Sequence, residues 1–194
     1  MKTRALTGEE LERALPALAA LRIEVFRAFP YLYAGSEAYE QRYLRDFAGA
    51  PDSFIIAAET DTGEIVGCAT GSAITGHHGE FAAPLAAAGY DLASTFYFGE
   101  SVLLPAFRGH GLGHAFFDAR EAHARARGYR RACFCAVERA TNHPQRPEGY
   151  SPLDGFWKRR GYGKLEGLET QFAWPGEPGG ANEVHPMGYW MREL

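Results

Sequence analysis

Long apolar runs are missing from this sequence. No stretch approaches the roughly 18 apolar residues that a membrane-crossing helix needs, so neither a span nor a membrane partner is expected. The first residues, MKTRALTGEELERALPALAAL, break their apolar positions with charges and lack a signal-peptide cleavage pattern, which predicts a cytoplasmic protein. Cysteine is scarce: three in 194 residues cannot build a disulfide framework. Cys133 and Cys135 alternate on a strand-like run, point to one face and are poorly placed to bridge, so they read as buried reduced thiols. Positive charge is not in excess either. With 20 Lys and Arg against 24 Asp and Glu, the net charge of −4 gives no general pull toward nucleic acid or anionic membrane, and any anion site must be local. Metal-ligand spacing is absent as well. The His77–His78 pair has no partner at such spacing and reads as a surface loop pair, with no metal expected.

What is present is ordinary for a globular chain, 46% hydrophobic and 23% charged, and its length suits one domain over residues 1–194. Thr7 to Glu10 reads as a capping box opening a helix with Leu11, Leu15, Leu18 and Val25 on one side, kinked or divided at Pro16. Ser36 caps a second helix to about Phe47. SFIIAAET and IVGCATGSAI flank an Asp-Thr-Gly turn and predict a β-hairpin. A short helix from Pro84 to Ala88, a strand from Ser94 to Leu104 and a helix from Gly111 to Arg127 follow, with Gly128 suited to the helix end. RRACFCAVE is a strand, LDGFWKRRGY a helix ending at Gly161, and two strands close the chain near Leu165 to Trp174 and Met187 to Arg192. Between residues 139 and 152 lies a Pro-rich connection too long for a turn, hence a lid or an ordered functional loop. The order predicts a mixed α/β (α+β) fold.

One segment breaks the usual chemistry of helix starts. LLPAFRGHGLGH, Leu103 to His114, offers bare glycine backbone and basic side chains where acidic or hydroxyl caps are usual. A strand feeding glycines into a helix N-terminus leaves several N–H groups unobstructed and aimed at one spot, a ready phosphate site to which Arg108 adds charge. A Walker loop would end in Lys and Ser or Thr, but His114-Ala115 stands there. A dinucleotide fingerprint would need its third glycine at position 114. A plain tight turn remains the alternative.

VLLPAFRGHGLG resembles the acyl-CoA-binding motif of the GNAT superfamily of N-acyltransferases: Arg or Gln, two residues, Gly, one residue, Gly or Ala. Arg108, Gly111 and Gly113 match its fixed positions. FWKRRGY, Phe156 to Tyr162, looks like the family's second landmark. The resemblance implies a mixed, mostly antiparallel sheet flanked by helices with splayed central strands. It implies that acetyl-CoA is the cosubstrate, its pyrophosphate over Arg108, Gly109, His110, Gly111, Leu112 and Gly113, with His114 beside it. The pantetheine arm would meet main chain near Leu103 and Leu104. Asn142, opening the Pro-rich loop, would touch CoA or the acceptor.

N-acyl transfer needs a neutral amine, an oxyanion partner and a proton for the departing thiolate. Backbone N–H can serve the oxyanion. Glu100 is the candidate base: on simple alternation it shares a face with Val102 and Leu104, as a half-buried carboxylate of raised pKa or as a structural ion pair. The family's late-helix Tyr acid matches Trp157 here, a poor proton donor, and leaves Tyr150 or Tyr162 as substitutes. For the acceptor, the resemblance points to FRAFPYLY, where Phe29, Tyr31 and Tyr33 suit an apolar or ring-bearing amine. The expected activity is acetyl transfer to a primary amine of a small molecule or of a protein or peptide, by direct attack in a ternary complex; a homodimer is allowed. Basic peptides are less favoured because no acidic cluster marks a docking groove. The missing Tyr at 157 keeps a second reading open, a non-catalytic acyl-CoA-binding module.

Overall fold

The computed structural model describes residues 1–76 and 79–194; the His77–His78 pair lies outside the described residues. One seven-stranded sheet runs in the order β1-β2-β3-β4-β5-β7-β6. Its strands are β1 (Lys2–Ala5), β2 (Phe54–Glu59), β3 (Ile65–Ala73), β4 (Thr95–Leu103), β5 (Arg131–Val137), β6 (Gly163–Pro175) and β7 (Asn182–Glu193). Every neighbouring pair is antiparallel except β4 with β5, which is parallel. Five α-helices flank the sheet: α1 (Gly8–Arg27), α2 (Glu37–Ala48), α3 (Gly79–Ala87), α4 (Leu112–Ala126) and α5 (Asp154–Arg159).

Strand alternation divides the core between the two faces. On β2, Ile55 and Ala57 join Leu11, Leu15 and Leu18 under α1, while Ile56 and Ala58 join Leu112 and Phe116 under α4. A third cluster sits with α3 around Phe81, Tyr97, Cys133 and Tyr189; a fourth, under α4 and α5, gathers Phe96, Phe98, Phe117, Phe134 and Trp190. All three cysteines are unpaired and buried, and burial pushes the Cys68 and Cys135 thiols up to about 12.

Several local expectations meet a different outcome. Thr7 is the N-cap of α1, but its side chain accepts no capping hydrogen bond, and Gly8 begins the helix at φ +53°. Helix α1 continues unbroken through Pro16. The ring removes one N–H bond to the Glu12 carbonyl on the exposed side of the helix, while buried Leu15 and Leu18 hold both halves to the sheet. Strand β1 has no sequence signature, being four residues long with three of them polar. Ser36 does cap α2, its Oγ accepting from the Tyr39 N–H at 3.4 Å.

The decisive feature is a parting of strands. β4 and β5 pair only through Thr95–Arg131, Phe96–Ala132 and Tyr97–Cys133. Beyond that point β5 stays with β7 as far as Val137–Met187, while β4 continues with β3 alone to Leu103. Helix α4 rises from the loop after β4 and is tied down by buried Glu121. That carboxylate receives Arg160 at 2.9 Å, Arg192 at 3.1 Å and the Tyr162 hydroxyl at 3.2 Å, joining α4 to the end of α5 and to β7. Truncating Glu121→Ala removes the shared acceptor, while Arg160 keeps Asp118 and Arg192 keeps the Arg160 carbonyl; the expected cost is about 1–3 kcal/mol, read as a lower midpoint in urea denaturation.

Candidate active site

The glycine turn is built for an anion. After a 3₁₀ turn over Pro105–Phe107, the chain passes Gly109 at φ +81° and Gly111, the N-cap of α4, at φ +82°. Both lie in the left-handed region that L side chains resist. Among the described residues, no backbone N–H from Gly109 to His114 finds an acceptor within the protein; the first bond of α4 runs from Ala115 to the Gly111 carbonyl. Gly113 differs: it sits in ordinary helix, and an added Cβ would meet only Phe156 at 3.6 Å. Neither backbone nor packing requires glycine there, at a position inside the run of unsatisfied N–H groups. The donor set therefore fits the diphosphate of an acyl-CoA. Arg108 folds back, its Nε donating to the Leu103 carbonyl at 3.2 Å, so only its terminal nitrogens are left for an anion. Leu104 donates its N–H to Val66 at 3.0 Å, and Leu112 is a buried core residue. His110 is exposed; the His114 ring stands 4.9 Å from Phe156 and 3.5 Å from an Arg160 nitrogen.

Glu100 reaches its position through a break in alternation. Phe96 and Phe98 point under α4, Tyr97 to the opposite face, and continued alternation would send Glu100 after Phe98. The β3–β4 register shifts instead: Phe98 pairs with Gly71 and Ser101 with Ala69, so Gly99 and Glu100 together oppose Thr70. This β-bulge reverses the phase, and Val102 then joins the α1 cluster while Leu103 joins that of α4. Gly99 is required, because a Cβ there would lie 2.5 Å from Thr70 Oγ1. Glu100 is therefore turned toward α1 and α2, where it meets a partner that alternation did not reveal. The Arg22 guanidinium ion-pairs with Glu100 and with Glu40, which is fully buried, and lies 4.4 Å from the Tyr43 ring. The Tyr33 hydroxyl donates to Glu40; that of Tyr43 donates to Glu100 at 3.4 Å. Burial opposes the charge on Arg22, but Glu100, Tyr43 and Glu40 outweigh it and hold the guanidinium firmly protonated.

Phe29, Tyr31 and Tyr33 lie on the loop between α1 and α2, and this loop is pinned from outside. Arg139, just past β5, donates from Nε to the Pro30 carbonyl at 2.7 Å and from Nη2 to that of Tyr31 at 2.9 Å; Trp174 Nε1 also donates to Tyr31 at 3.0 Å. The pinned loop carries Leu32 at φ +54°, a conformation that costs a branched residue about 1–2 kcal/mol. Burial raises the Tyr31 phenol, with Cys135, Glu100 and Tyr150 close enough to add to the shift and Arg22 opposing it. Phe29 packs edge-on against Tyr150 at 4.7 Å and faces His143 at 5.5 Å, joining this loop to residues 139–152. Tyr150 is half-buried and its phenol is raised by burial; Asn142 is exposed. Trp157 is spent on packing, 5.0 Å from both Phe134 and Trp190, and the Tyr162 hydroxyl is engaged by Glu121. Tyr150 thus packs on this loop through Phe29, and Glu100 is linked to it through Arg22, which lies 5.2 Å from the Phe26 ring that packs against Tyr31, while Trp157 and Tyr162 belong to the α4–α5 side. Among the described residues, no group of three or more His, Cys, Asp or Glu is placed to hold a metal, and no helix is long and apolar enough to cross a membrane.

Arg139 also donates to His185 Nδ1 at 3.0 Å, which requires a neutral ring. Burial and then Arg139 lower the His185 pKa, with Glu183 and the Trp174 backbone opposing. The folded protein thus binds this proton less readily than the unfolded chain. Its contribution to stability is complete above pH about 6.5 and declines as pH falls from there toward the lower folded value. Thermal melts between pH 7.5 and 5 are expected to show that decline in the wild type and a shallower one in His185→Gln.

Comparison with known proteins agrees with this geometry. The model of the Acetyltransferase (GNAT) family matches residues 18–147. No sequence among the curated proteins matches the chain. Solved structures share its fold: a ribosomal-protein-alanine N-acetyltransferase from Brucella melitensis is 15% identical, with TM-score 0.62 and full coverage of both chains. An aminoglycoside 6'-N-acetyltransferase complexed with coenzyme A is 12% identical, with TM-score 0.62, covering 100% of this chain and 97% of that one. A GCN5-related N-acetyltransferase from Kribbella flavida is 17% identical, with TM-score 0.60, covering 100% and 97%. Since the family's model spans more than half of the sequence and takes in the glycine turn, the parted strands and Glu100, the chain belongs to the GNAT acetyltransferase family.

Proposed function

We propose that this protein transfers an acetyl group from acetyl-CoA to the primary amine of an apolar or ring-bearing small molecule, by direct attack in a ternary complex. The observation that carries the reading is the run of acceptor-less N–H groups from Gly109 to His114, set at the end of the strand that bears Glu100. A complex with coenzyme A and another with acetyl-CoA among the structures of similar fold are consistent with it. Residues 1–194 would act as one catalytic domain, since a single sheet takes its strands from Lys2 to Glu193, and the same reading sets it in the cytoplasm.

In this reading the glycine turn binds the diphosphate and Arg108 adds charge from its free nitrogens. The bound cosubstrate supplies a thioester carbonyl. The main chain of β4, freed of β5 beyond Tyr97, offers amide groups to the pantetheine arm and the oxyanion. Glu100 takes the proton of the incoming ammonium, directly or through water, and Tyr150 gives one to the departing thiolate. Phe29, Tyr31 and Tyr33 line the acceptor side. Two of the cations beside it are engaged within the protein, Arg22 by two carboxylates and Arg139 by two carbonyls and His185. The ring-rich lining favours an apolar amine skeleton.

Free thiol should appear from acetyl-CoA only when an amine such as 2-phenylethylamine, or another member of an amine panel including peptides, is present. Thermal stabilisation by CoA with no turnover on any amine would instead indicate a binding module, the reading that Trp157 keeps in play. Glu100→Gln is expected to lower kcat by about 10²-fold or more with CoA binding nearly unchanged; an unchanged rate removes Glu100 from the chemistry. Gly113→Ala should separate fold from ligand. It is expected to stabilise the unliganded helix by about 0.5–1 kcal/mol while weakening CoA, as measured by melting and calorimetric titration.

A further inference from the structure

The bulge that turns Glu100 toward α1 and α2 is held by two buried side chains. Thr70 on β3 accepts the Glu100 N–H at 3.2 Å through Oγ1. Arg120, 1% exposed, reaches over from α4. Its Nη1 donates to the carbonyls of Thr70 and Glu100, each at 3.1 Å, its Nη2 to the Ser101 hydroxyl at 2.7 Å, and its Nε to the Phe116 carbonyl at 3.1 Å. The guanidinium carbon lies 4.1 Å from the Phe98 ring centre and 5.0 Å from that of Phe117. Burial pulls its pKa down to about 10, with Tyr162 and Glu100 opposing, so it stays protonated at neutral pH.

An arginine at this depth is costly where an apolar side chain would serve packing alone. Arg120 stands in the stripe of α4 that otherwise holds Leu112, Phe116 and Ala124, all buried. What it does that an apolar residue could not is satisfy the carbonyls on either side of the bulge. It also sits on the helix that begins at the glycine turn, about 12 Å along the axis from Leu112. One rigid element thus carries the anion cradle at its start and the clamp on the carboxylate-bearing strand two turns later.

We propose that Arg120 is a positioning residue for acyl transfer, holding the β4 bulge so that Glu100 faces α1 and α2 at a fixed distance from the diphosphate cradle. The proposal rests on the reading of Glu100 as proton acceptor given above. It is tested with Arg120→Met, Arg120→Lys, Thr70→Val and Thr70→Ser, using CoA-induced thermal shift and thiol release with the best amine of the panel. Arg120→Met is expected to keep its CoA shift and the KM for acetyl-CoA within about threefold while kcat falls about tenfold or more. Arg120→Lys should recover part of the rate, and Thr70→Val should lose rate where Thr70→Ser does not. A folded Arg120→Met that melts lower but turns over at the wild-type kcat overturns the proposal. Should that variant not fold, a Thr70→Val enzyme with unchanged kcat overturns it equally. If the wild type shows no amine-dependent thiol release, the underlying reading of the activity fails. A crystal structure of Arg120→Lys or Thr70→Val then decides the positional claim without an acceptor: Glu100 swung away from Arg22 supports it, and an unaltered bulge and ion pair overturn it.

Discussion

The architecture depends on β4 running on after β5 has turned away from it. A strand in mid-sheet normally has both edges paired; past Tyr97 this one has only β3. Its ladder with β3 is itself interrupted at the bulge, and backbone groups left inside a protein need partners. At the bulge, Thr70 and Arg120 supply them. At the strand's end, Arg108 returns to the Leu103 carbonyl and Val66 takes the Leu104 N–H. Two departures from regular pairing thus fall on one strand: β4 parts from β5 beyond Tyr97, and the bulge against β3 re-aims the carboxylate of Glu100.

Two opposite treatments of polar groups sit side by side here. Around Glu100 every charge is matched inside the protein: Arg22 bridges two carboxylates, and two tyrosine hydroxyls finish the set. At the glycine turn nothing is matched, and consecutive N–H groups remain without acceptors at the surface. A closed network fixes geometry, since moving one member strands the others. An open row of donors is left for a ligand to complete. The proposed division of labour, a rigid acceptor side beside a receptive phosphate side, draws on that contrast.

Much of this was legible in the residues, and the exceptions share a cause. Periodicity and punctuation located α1, α2, α4 and α5, the hairpin around Asp61 to Gly63 and the capped start at Ser36, because these are local preferences; α3 begins at Gly79, not at Pro84, which lies inside it. The glycine turn was legible because Gly109 and Gly111 are demanded by backbone geometry and an acidic cap is missing. What escaped was set by distant contact. The bulge at Gly99 depends on β3 register, and the role of Arg139 depends on a loop more than a hundred residues earlier. Yet a signal existed for the two buried arginines. Arg22 continues the stripe Leu11, Leu15, Leu18 on α1, and Arg120 continues Leu112, Phe116 on α4. A charge where the helical period calls for an apolar residue marks a guanidinium with internal work to do.

Arg139 joins three stretches of chain that are far apart in sequence: the loop after α1, the connection that starts beside it, and the Trp174–His185 pair on β6 and β7. A wall made this way has no independently exchangeable part. Replacing one loop would leave a guanidinium, an indole N–H or an imidazole without its counterpart in the other two. Change in this wall therefore calls for correlated substitutions across all three segments, or falls on side chains such as Phe29 whose main chain the clamp does not hold.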